Sequence, residues 1–204
     1  MVAGGVGLEL YTALTSGPGV AGTMAERLTR LFSYFTIQSN LIVGVTSAML
    51  AARPARDGRV FRIARLDGLL CIAVTGIVYH LVLSGLNDLT PAGALSNLLL
   101  HTTVPVGALL AWVLVGPRPR IDTTTVWWSV AYPLVWIAYT FTRGAVVGWY
   151  PYPFLDVGQL GYGTALVNTA IVAVVFLVLA WGARLLERVI PGRGATLREP
   201  VSRG

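Results

Sequence analysis

Two side chains with complementary chemistry lie in otherwise apolar stretches of the sequence. His101 stands in NLLLHTTVP (residues 97–105) and Thr36 in YFTIQSN (residues 34–40). A neutral imidazole can take the proton of an alcohol, which then becomes a nucleophile toward an ester carbonyl. These residue types predict a nucleophile–base pair, with either Thr36 or Ser33 as the nucleophile and His101 as the base.

The composition indicates that this pair belongs to a membrane protein. The 204 residues are 55% hydrophobic and 12% charged, whereas soluble domains are about 25% charged, and the mean hydropathy is +0.70. Because a membrane-crossing helix needs ~20 apolar residues, we expect five spans, at residues 31–52, 68–86, 94–115, 126–147 and 160–183. A sixth segment, residues 2–15, is short. We interpret it as a first helix that starts upstream of Met1, and the alternative is an interfacial segment.

The charges predict how the spans are oriented. All fifteen basic residues are arginines, and the net charge is +6. Twelve of them lie on alternate connections and the tail: Arg53, Arg56, Arg59, Arg62, Arg65, Arg118, Arg120, Arg184, Arg188, Arg193, Arg198 and Arg203. The other connections hold Arg27, Arg30 and Arg143. This asymmetry is typical of cytoplasmic loops, so it requires no nucleic-acid partner. The sequence thus predicts an all-α, polytopic bundle of six transmembrane helices with both termini cytoplasmic: one domain over residues 1–190 and a disordered basic cytoplasmic tail over 191–204.

Polar residues of five predicted helices fall at a similar depth. With 1.5 Å of rise per residue, Thr36 lies ~8 Å, His80 and His101 ~9 Å and Asn168 ~12 Å from the outer edge, and Glu9 lies near the same level. Ionisable residues in a membrane usually face the bundle interior or a water-filled cavity. We therefore expect a buried polar layer in the outer half of the bundle.

Local signals add detail to this layer. Pro105 has no N–H to donate to the carbonyl of His101, which predicts a kink beside the histidine. The connection GWYPYPFLDVGQ (residues 148–159) is rich in aromatic residues, which suits either an interfacial belt or a lid over a site that opens outward. The single cysteine, Cys71, is expected to be a small apolar filler.

Further residues are assigned to the predicted site by their type and position. An oxyanion needs hydrogen-bond donors, whereas Gln38 should point away from Thr36. The expected oxyanion or supporting polar residues are Asn40, Asn97, His80 and Tyr150. The expected substrate-binding residues are Ser33, Arg143, Tyr152 and Asp156. For Arg143, binding of a fatty-acid carboxylate and snorkelling to the interface are equally open.

Three stretches resemble the androgen-induced membrane protein family, namely residues 34–40, 97–105 and YPFLD at 152–156. They occur in the order and spacing of that family, whose members are multi-pass hydrolases of fatty acid esters of hydroxy fatty acids. The resemblance implies that Thr36 is the nucleophile and His101 its catalytic partner, in a compact bacterial member. Leu98 stands where other members carry a second histidine. Because of this difference, the resemblance does not imply that this chain acts on the family's substrate.

We therefore expect a threonine hydrolase of lipid esters in a bacterial plasma membrane, with membrane lipid as its partner and no cofactor or metal. Two alternatives stay open. His80 and His101 could hold a haem or, with a carboxylate, a zinc ion. A lipid-binding or transport protein without enzymatic activity would have the same cavity, but removal of Thr36 would change no hydrolysis. The sequence contains no P-loop and no CxxC pair, which disfavours nucleotide-driven and thiol chemistry.

Overall fold

The residues that the computed structural model describes, 1–86 and 89–190, form helices joined by short loops. The α-helices are α1 Val2–Thr15, α2 Met24–Ser33, α3 Phe35–Ala52, α4 Arg59–Val78, α5 Pro91–Leu98, α6 Val104–Val115, α7 Thr123–Trp128, α8 Ala131–Val147 and α9 Val157–Val189. A π-helical turn at Tyr79–Leu83 extends α4, and another at Leu99–Thr103 joins α5 to α6. The predicted all-α bundle is confirmed. The predicted disordered tail, residues 191–204, lies outside the described residues.

Within the described residues, five helical stretches are long and apolar enough to cross a membrane, as expected of a multi-pass membrane protein. They are Phe35–Ala52, Arg59–Leu83, Pro91–Val115, Thr123–Val147 and Val157–Val189. Helix α1 has 14 residues and packs against α2, α3 and α5. The cytoplasmic position of the termini stays a prediction.

The predicted span 31–52 is divided in two, which corrects its boundary. Tyr34 is extended (φ −65°, ψ 128°) between α2 and α3. Helix α2 starts at residue 24 because Thr23 caps it, accepting the N–H of Glu26 at 3.1 Å. A hydropathy window cannot detect this break, because the apolar residues continue through it. The break puts Thr36 into the first turn of α3.

The predicted kink beside His101 takes the form of a π-helical turn. His101 is the third residue of the turn Leu99–Thr103, and Pro105 follows in the first turn of α6. Gly76 of α4 lies against this segment: a Cβ there would lie 3.2 Å from Cβ of Pro105 and 3.4 Å from the carbonyl oxygen of His101. The absence of a side chain at Gly76 therefore lets α4 approach the histidine segment closely.

We name the two ends of the bundle by their residues. The aromatic end contains Tyr34, the start of α3 and the loop 148–156. The arginine end contains the loops 53–58 and 116–122. Between them, Leu70 and Cys71 of α4 pack with Val126 of α7 and Phe176 of α9 in a buried apolar core, which fixes α4 as the central helix.

Candidate active site

Thr36 and His101 meet inside the bundle near the aromatic end. Oγ1 of Thr36 lies 3.2 Å from Nε2 of His101, and Thr36 is 7% exposed. The other ring nitrogen, Nδ1, lies 3.2 Å from the carbonyl oxygen of Asn97. Because a carbonyl can only accept, Nδ1 carries the proton and Nε2 is left to accept the hydroxyl proton of Thr36. This is the tautomer that a general base requires.

Tyr79 holds the imidazole from one side. Its ring is stacked on His101, with centroids 4.3 Å apart and planes inclined by 27°, and its hydroxyl accepts the side-chain amide of Asn97. Asn97 thus orients the histidine through its backbone and supports Tyr79 through its side chain. Sequence reasoning missed Tyr79 and chose the next residue, His80. The signal available was the Tyr-His doublet, but the π-helical turn that decides which of the two faces inward is not visible in the sequence.

Tyr152 is the third polar group at Thr36. Its hydroxyl oxygen accepts the backbone N–H of Thr36 at 3.2 Å and lies 3.3 Å from Oγ1. That N–H is free because Thr36 is in the first turn of α3, where amides have no intrahelical acceptor. Burial raises the pKa of Tyr152 to about 12, so its hydroxyl stays protonated at neutral pH. It can then donate to Oγ1 while Oγ1 donates to His101.

Asn40 ties the segments that carry Thr36 and His101 together. It is fully buried, and its amide donates to the carbonyl of Thr36 at 2.8 Å and to that of Leu100 at 3.2 Å. Its Oδ1 has no hydrogen-bond partner among the described residues. Asn40 therefore bridges α3 and the π-helical turn and fixes their spacing, while its donors are used by backbone carbonyls.

An apolar cavity of about 160 Å³ begins at Thr36 and Tyr152. It continues between α8 and α9 over the surface of α4, where its walls include Val74, Ile137 and Phe176. None of the described residues that line it is charged, and His101 does not line it. Thr36 therefore contacts the base on one side and the cavity on another.

Several predicted site residues lie elsewhere. Ser33 bonds the hydroxyl of Tyr139 at 2.7 Å. His80 is exposed, and its Nε2 lies 3.1 Å from Oγ1 of Thr102. The ring of Tyr150 packs on Gly144, and Asp156 caps α9 by accepting the N–H of Gly158 at 2.9 Å. Glu9 accepts the hydroxyl of Ser96, and the amide of Asn168 donates to the carbonyl of Phe154 at 2.9 Å. None of these contacts involves Thr36 or His101.

Arg143 has a partner that the sequence did not suggest. Its Nη2 lies 2.6 and 2.7 Å from the two carboxylate oxygens of Glu26 in α2, and Nε of Arg30 lies 2.8 Å from the same carboxylate. Both guanidinium groups lie over the ring of Trp149, at 5.3 Å for Arg143 and 5.1 Å for Arg30. Hydrogen bonds from Arg143 and then Arg30 lower the pKa of Glu26. This ion cluster joins α2, α8 and the loop 148–156 through Nη2 of Arg143. Its Nη1 is buried without a hydrogen-bond partner among the described residues, so substrate binding by Arg143 stays a prediction.

The described residues contain no group of three or more His, Cys, Asp or Glu side chains placed to hold a metal ion. The two histidines bond different hydroxyls, since His80 is near Thr102 and His101 near Thr36. Neither contact supports a shared haem or zinc ligand set.

No family model, curated protein or solved structure matches the chain. What the site does must therefore be inferred from its own residues. These are a threonine hydroxyl, an imidazole in the basic tautomer, a protonated phenol and an apolar cavity. That set favours acyl-transfer chemistry on a lipid.

Proposed function

We propose that this protein is a membrane-embedded hydrolase that cleaves a lipid ester with Thr36 as nucleophile and His101 as general base. The observation that carries the proposal is the contact of 3.2 Å between Oγ1 of Thr36 and Nε2 of His101, with Nδ1 turned to the carbonyl of Asn97. The nucleophile thus bonds the base, and the base bonds the group that orients it. Nucleophilic hydrolases of many folds have this arrangement.

In the first step, Oγ1 of Thr36 attacks the ester carbonyl carbon while its proton moves to Nε2 of His101. The resulting imidazolium keeps its Nδ1–H on the carbonyl of Asn97. When the tetrahedral intermediate collapses, the bond to the alkoxy group breaks, and Nε2 returns the proton to the leaving oxygen. The products are a free alcohol and an acyl ester on Thr36. Such base assistance accelerates reactions about 10²–10⁴-fold.

Two donors near Thr36 suit the oxyanion of this intermediate. They are the hydroxyl of Tyr152 and the backbone N–H of Thr36, which donates to the oxygen of that hydroxyl at 3.2 Å. The hydroxyl of Tyr152 can turn to a carbonyl oxygen that comes to lie on the N–H of Thr36, whose direction the helix fixes, and the first turn of α3 adds the positive end of a helix dipole. Asn40 was expected in this role, but its amide already serves two carbonyls.

In the second step, water attacks the acyl-threonine. His101 again removes a proton, this time from the water, and the intermediate collapses to release a carboxylic acid and restore the hydroxyl of Thr36. No cofactor or metal is needed in either half of the reaction. The chemistry requires only that water reaches the side of Thr36 that faces His101.

The apolar cavity and the five membrane-crossing stretches support a lipid as the substrate. The proposal includes a location in a bacterial plasma membrane and membership in the androgen-induced membrane protein family, to which three short stretches bear a resemblance. In that family, the catalytic threonine and histidine correspond to Thr36 and His101.

The test is covalent labelling with a lipophilic fluorophosphonate, which reacts with activated hydroxyl nucleophiles. Wild type should label, whereas Thr36→Ala and His101→Ala should not. The matched control is Thr46→Ala, because Thr46 is also buried in α3 but bonds only the helix backbone, at 2.8 Å from the carbonyl of Ile42. Equal labelling of wild type, Thr36→Ala and His101→Ala would contradict the proposal.

A second candidate, lipid binding without hydrolysis, is favoured by the cavity alone. It predicts that lipid binding occurs and that no ester is turned over by wild type or by Thr36→Ala. Release of alcohol from a lipid ester by wild type, and none by Thr36→Ala, would decide for the hydrolase.

A further inference from the structure

Resting on this proposed function, we infer that the cavity binds the acyl chain of the substrate and that this chain enters sideways from the bilayer, between α8 and α9. The inference names which half of the ester is recognised and the path by which it arrives. It follows from three features of the cavity: the position of its mouth, its dimensions, and its location on the side of Thr36 away from His101.

The mouth of the cavity lies on the outer surface of the bundle, between two of its apolar helices. Of the described lining residues, Leu134 of α8 and Ala173 of α9 are the exposed ones, and Leu134 is 59% exposed. Helices α8 and α9 make few direct contacts with each other. Exposed apolar residues on both sides of a gap let an acyl chain enter without crossing water.

The dimensions suit one acyl chain. The cavity follows α9 from Thr169 to Leu177, eight residues apart, which is ~12 Å of helix at 1.5 Å per residue. Its polar end is at Thr36 and Tyr152, and Val74, Val130 and Phe176 lie farther toward the arginine end. A volume of about 160 Å³ is smaller than the 300–1,000 Å³ typical of drug-sized ligands. The cavity therefore has the shape for one extended acyl chain with its carbonyl at Thr36, and it is too small for a second chain beside the first.

The position of His101 decides which half of the ester lies in the cavity. The leaving oxygen must be beside Nε2 of His101 when it takes up the proton, and His101 does not line the cavity. The alcohol half therefore lies on the histidine side of Thr36. The acyl half is left for the cavity, so that the enzyme should measure acyl length and tolerate different alcohols.

The test uses the full chain in lipid nanodiscs with palmitic acid that carries a photoreactive diazirine. Crosslinks in wild type should fall on peptides that contain Leu134 or Ala173. Ala173→Trp and Leu134→Trp should each fill the mouth and lower crosslinking at least tenfold. The matched controls are Ala170→Trp and Val135→Trp, exposed positions on the same helices that do not line the cavity, and they should crosslink like wild type.

A second measurement compares ester hydrolysis over two substrate series. Lengthening the acyl chain by one methylene should raise kcat/KM about fourfold until the cavity is full, because a buried methylene contributes ~0.8 kcal/mol. Lengthening the alcohol chain should leave kcat/KM nearly unchanged.

The outcomes separate this inference from the proposed function. Hydrolysis that Ala173→Trp and Leu134→Trp leave intact would overturn the acyl path and leave the hydrolase standing. Crosslinks spread evenly over other exposed residues of α9, such as Val167 and Val178, would do the same. Crosslinking at the mouth that the two tryptophan variants block, with no hydrolysis by wild type, would support the acyl site and reject the hydrolase. Thr36→Ala should keep the crosslinks and lose the hydrolysis.

Discussion

The two ends of the bundle both enclose polar side chains, but these are used in different ways. At the arginine end, Oε2 of Glu187 accepts the backbone N–H groups of Arg120 at 2.7 Å and Ile121 at 2.5 Å, and the cavity beside it is only about 20 Å³. At the aromatic end, the hydroxyl of Thr36 has a base as its partner and an apolar cavity of about 160 Å³ next to it. A buried polar group therefore indicates a site only where space for a ligand adjoins it.

The ion pairs at the two ends differ as well. At the arginine end, Arg62 binds Asp57 through two hydrogen bonds of 2.6 and 2.7 Å, which hold the pKa of Asp57 well below its usual range, and the pair closes a loop. At the aromatic end, Glu26 and its two arginines hold Trp149, whose ring lies 5.8 Å from that of Tyr34. The ring of Tyr34 in turn packs on that of Tyr152, with the ring centroids 5.7 Å apart. Only the second cluster is connected to the candidate active site.

Apart from the loss of activity in Thr36→Ala and His101→Ala, the largest expected effect is that of Tyr152→Phe on catalysis. This change removes the phenol next to Thr36 but keeps the ring, so we expect kcat to fall about 10²-fold, the usual cost of losing an oxyanion donor, with little change in Tm. Tyr139→Phe is the matched control, because its hydroxyl bonds Ser33. An unchanged kcat in Tyr152→Phe would remove the phenol from the mechanism.

Asn40→Ala should be the next in size. It takes a donor from two carbonyls. That of Thr36 keeps the hydroxyl of Ser39 at 3.1 Å, whereas that of Leu100 loses its side-chain donor, and an unsatisfied buried acceptor costs about 1–3 kcal/mol. We expect a lower free energy of unfolding and a lower hydrolysis rate, because the π-helical turn loses its tie to α3. Asn168→Ala, which removes one bond at the edge of the bundle, should cost less. The reverse order in thermal unfolding would contradict this assignment.

Glu187→Ala tests the arginine end of the comparison. The N–H groups of Arg120 and Ile121 lose their acceptor, so the free energy of unfolding should fall by about 1–2 kcal/mol. The rate of ester hydrolysis per folded molecule should stay at the wild-type value, because the cavity and the catalytic pair are at the other end. A fall in that rate would mean that the two ends are coupled.

The smallest expected effect is a pH dependence at the ion cluster. Because hydrogen bonds from Arg143 and Arg30 lower the pKa of Glu26 below its ordinary 4.5, its stabilisation is complete above that pH and is lost as the pH falls through the lowered value. Above this pH, hydrogen exchange in residues 149–156 should be slower in the wild type than in Glu26→Gln measured at the same pH. In acid this difference should disappear. If both proteins change in parallel with pH, Glu26 does not hold the loop.

Much of the candidate site could be predicted from residue type and helical spacing. Depth counting along the helices put Thr36 and His101 at one level, and in the structure these two side chains are in contact. The same counting put His80 at this level too, but it is exposed beside Thr102. The depth of a residue along a helix does not specify the direction in which its side chain points. A π-helical turn such as Tyr79–Leu83 adds a residue and so changes that direction.

Two further differences have the same kind of cause. Glu26 lies outside the apolar stretches, and nothing in its surroundings in sequence connects it with Arg143, which is 117 residues away. Tyr152 was assigned to the substrate, and it reaches the backbone of Thr36 only because Tyr34 interrupts the helix and frees that N–H.

The sequence by itself determined the helical class and the apolar stretches, and it offered His101 with either Thr36 or Ser33 as candidates for acyl transfer, because hydropathy and side-chain chemistry are local properties. The tertiary structure alone decided which polar groups meet, which are consumed by backbone partners and where a cavity is left. These outcomes depend on two local departures from regular α-helix, the break at Tyr34 and the π-helical turn at Leu99–Thr103. Each changes the direction of the side chains that follow it, and packing between segments far apart in the chain fixes that change.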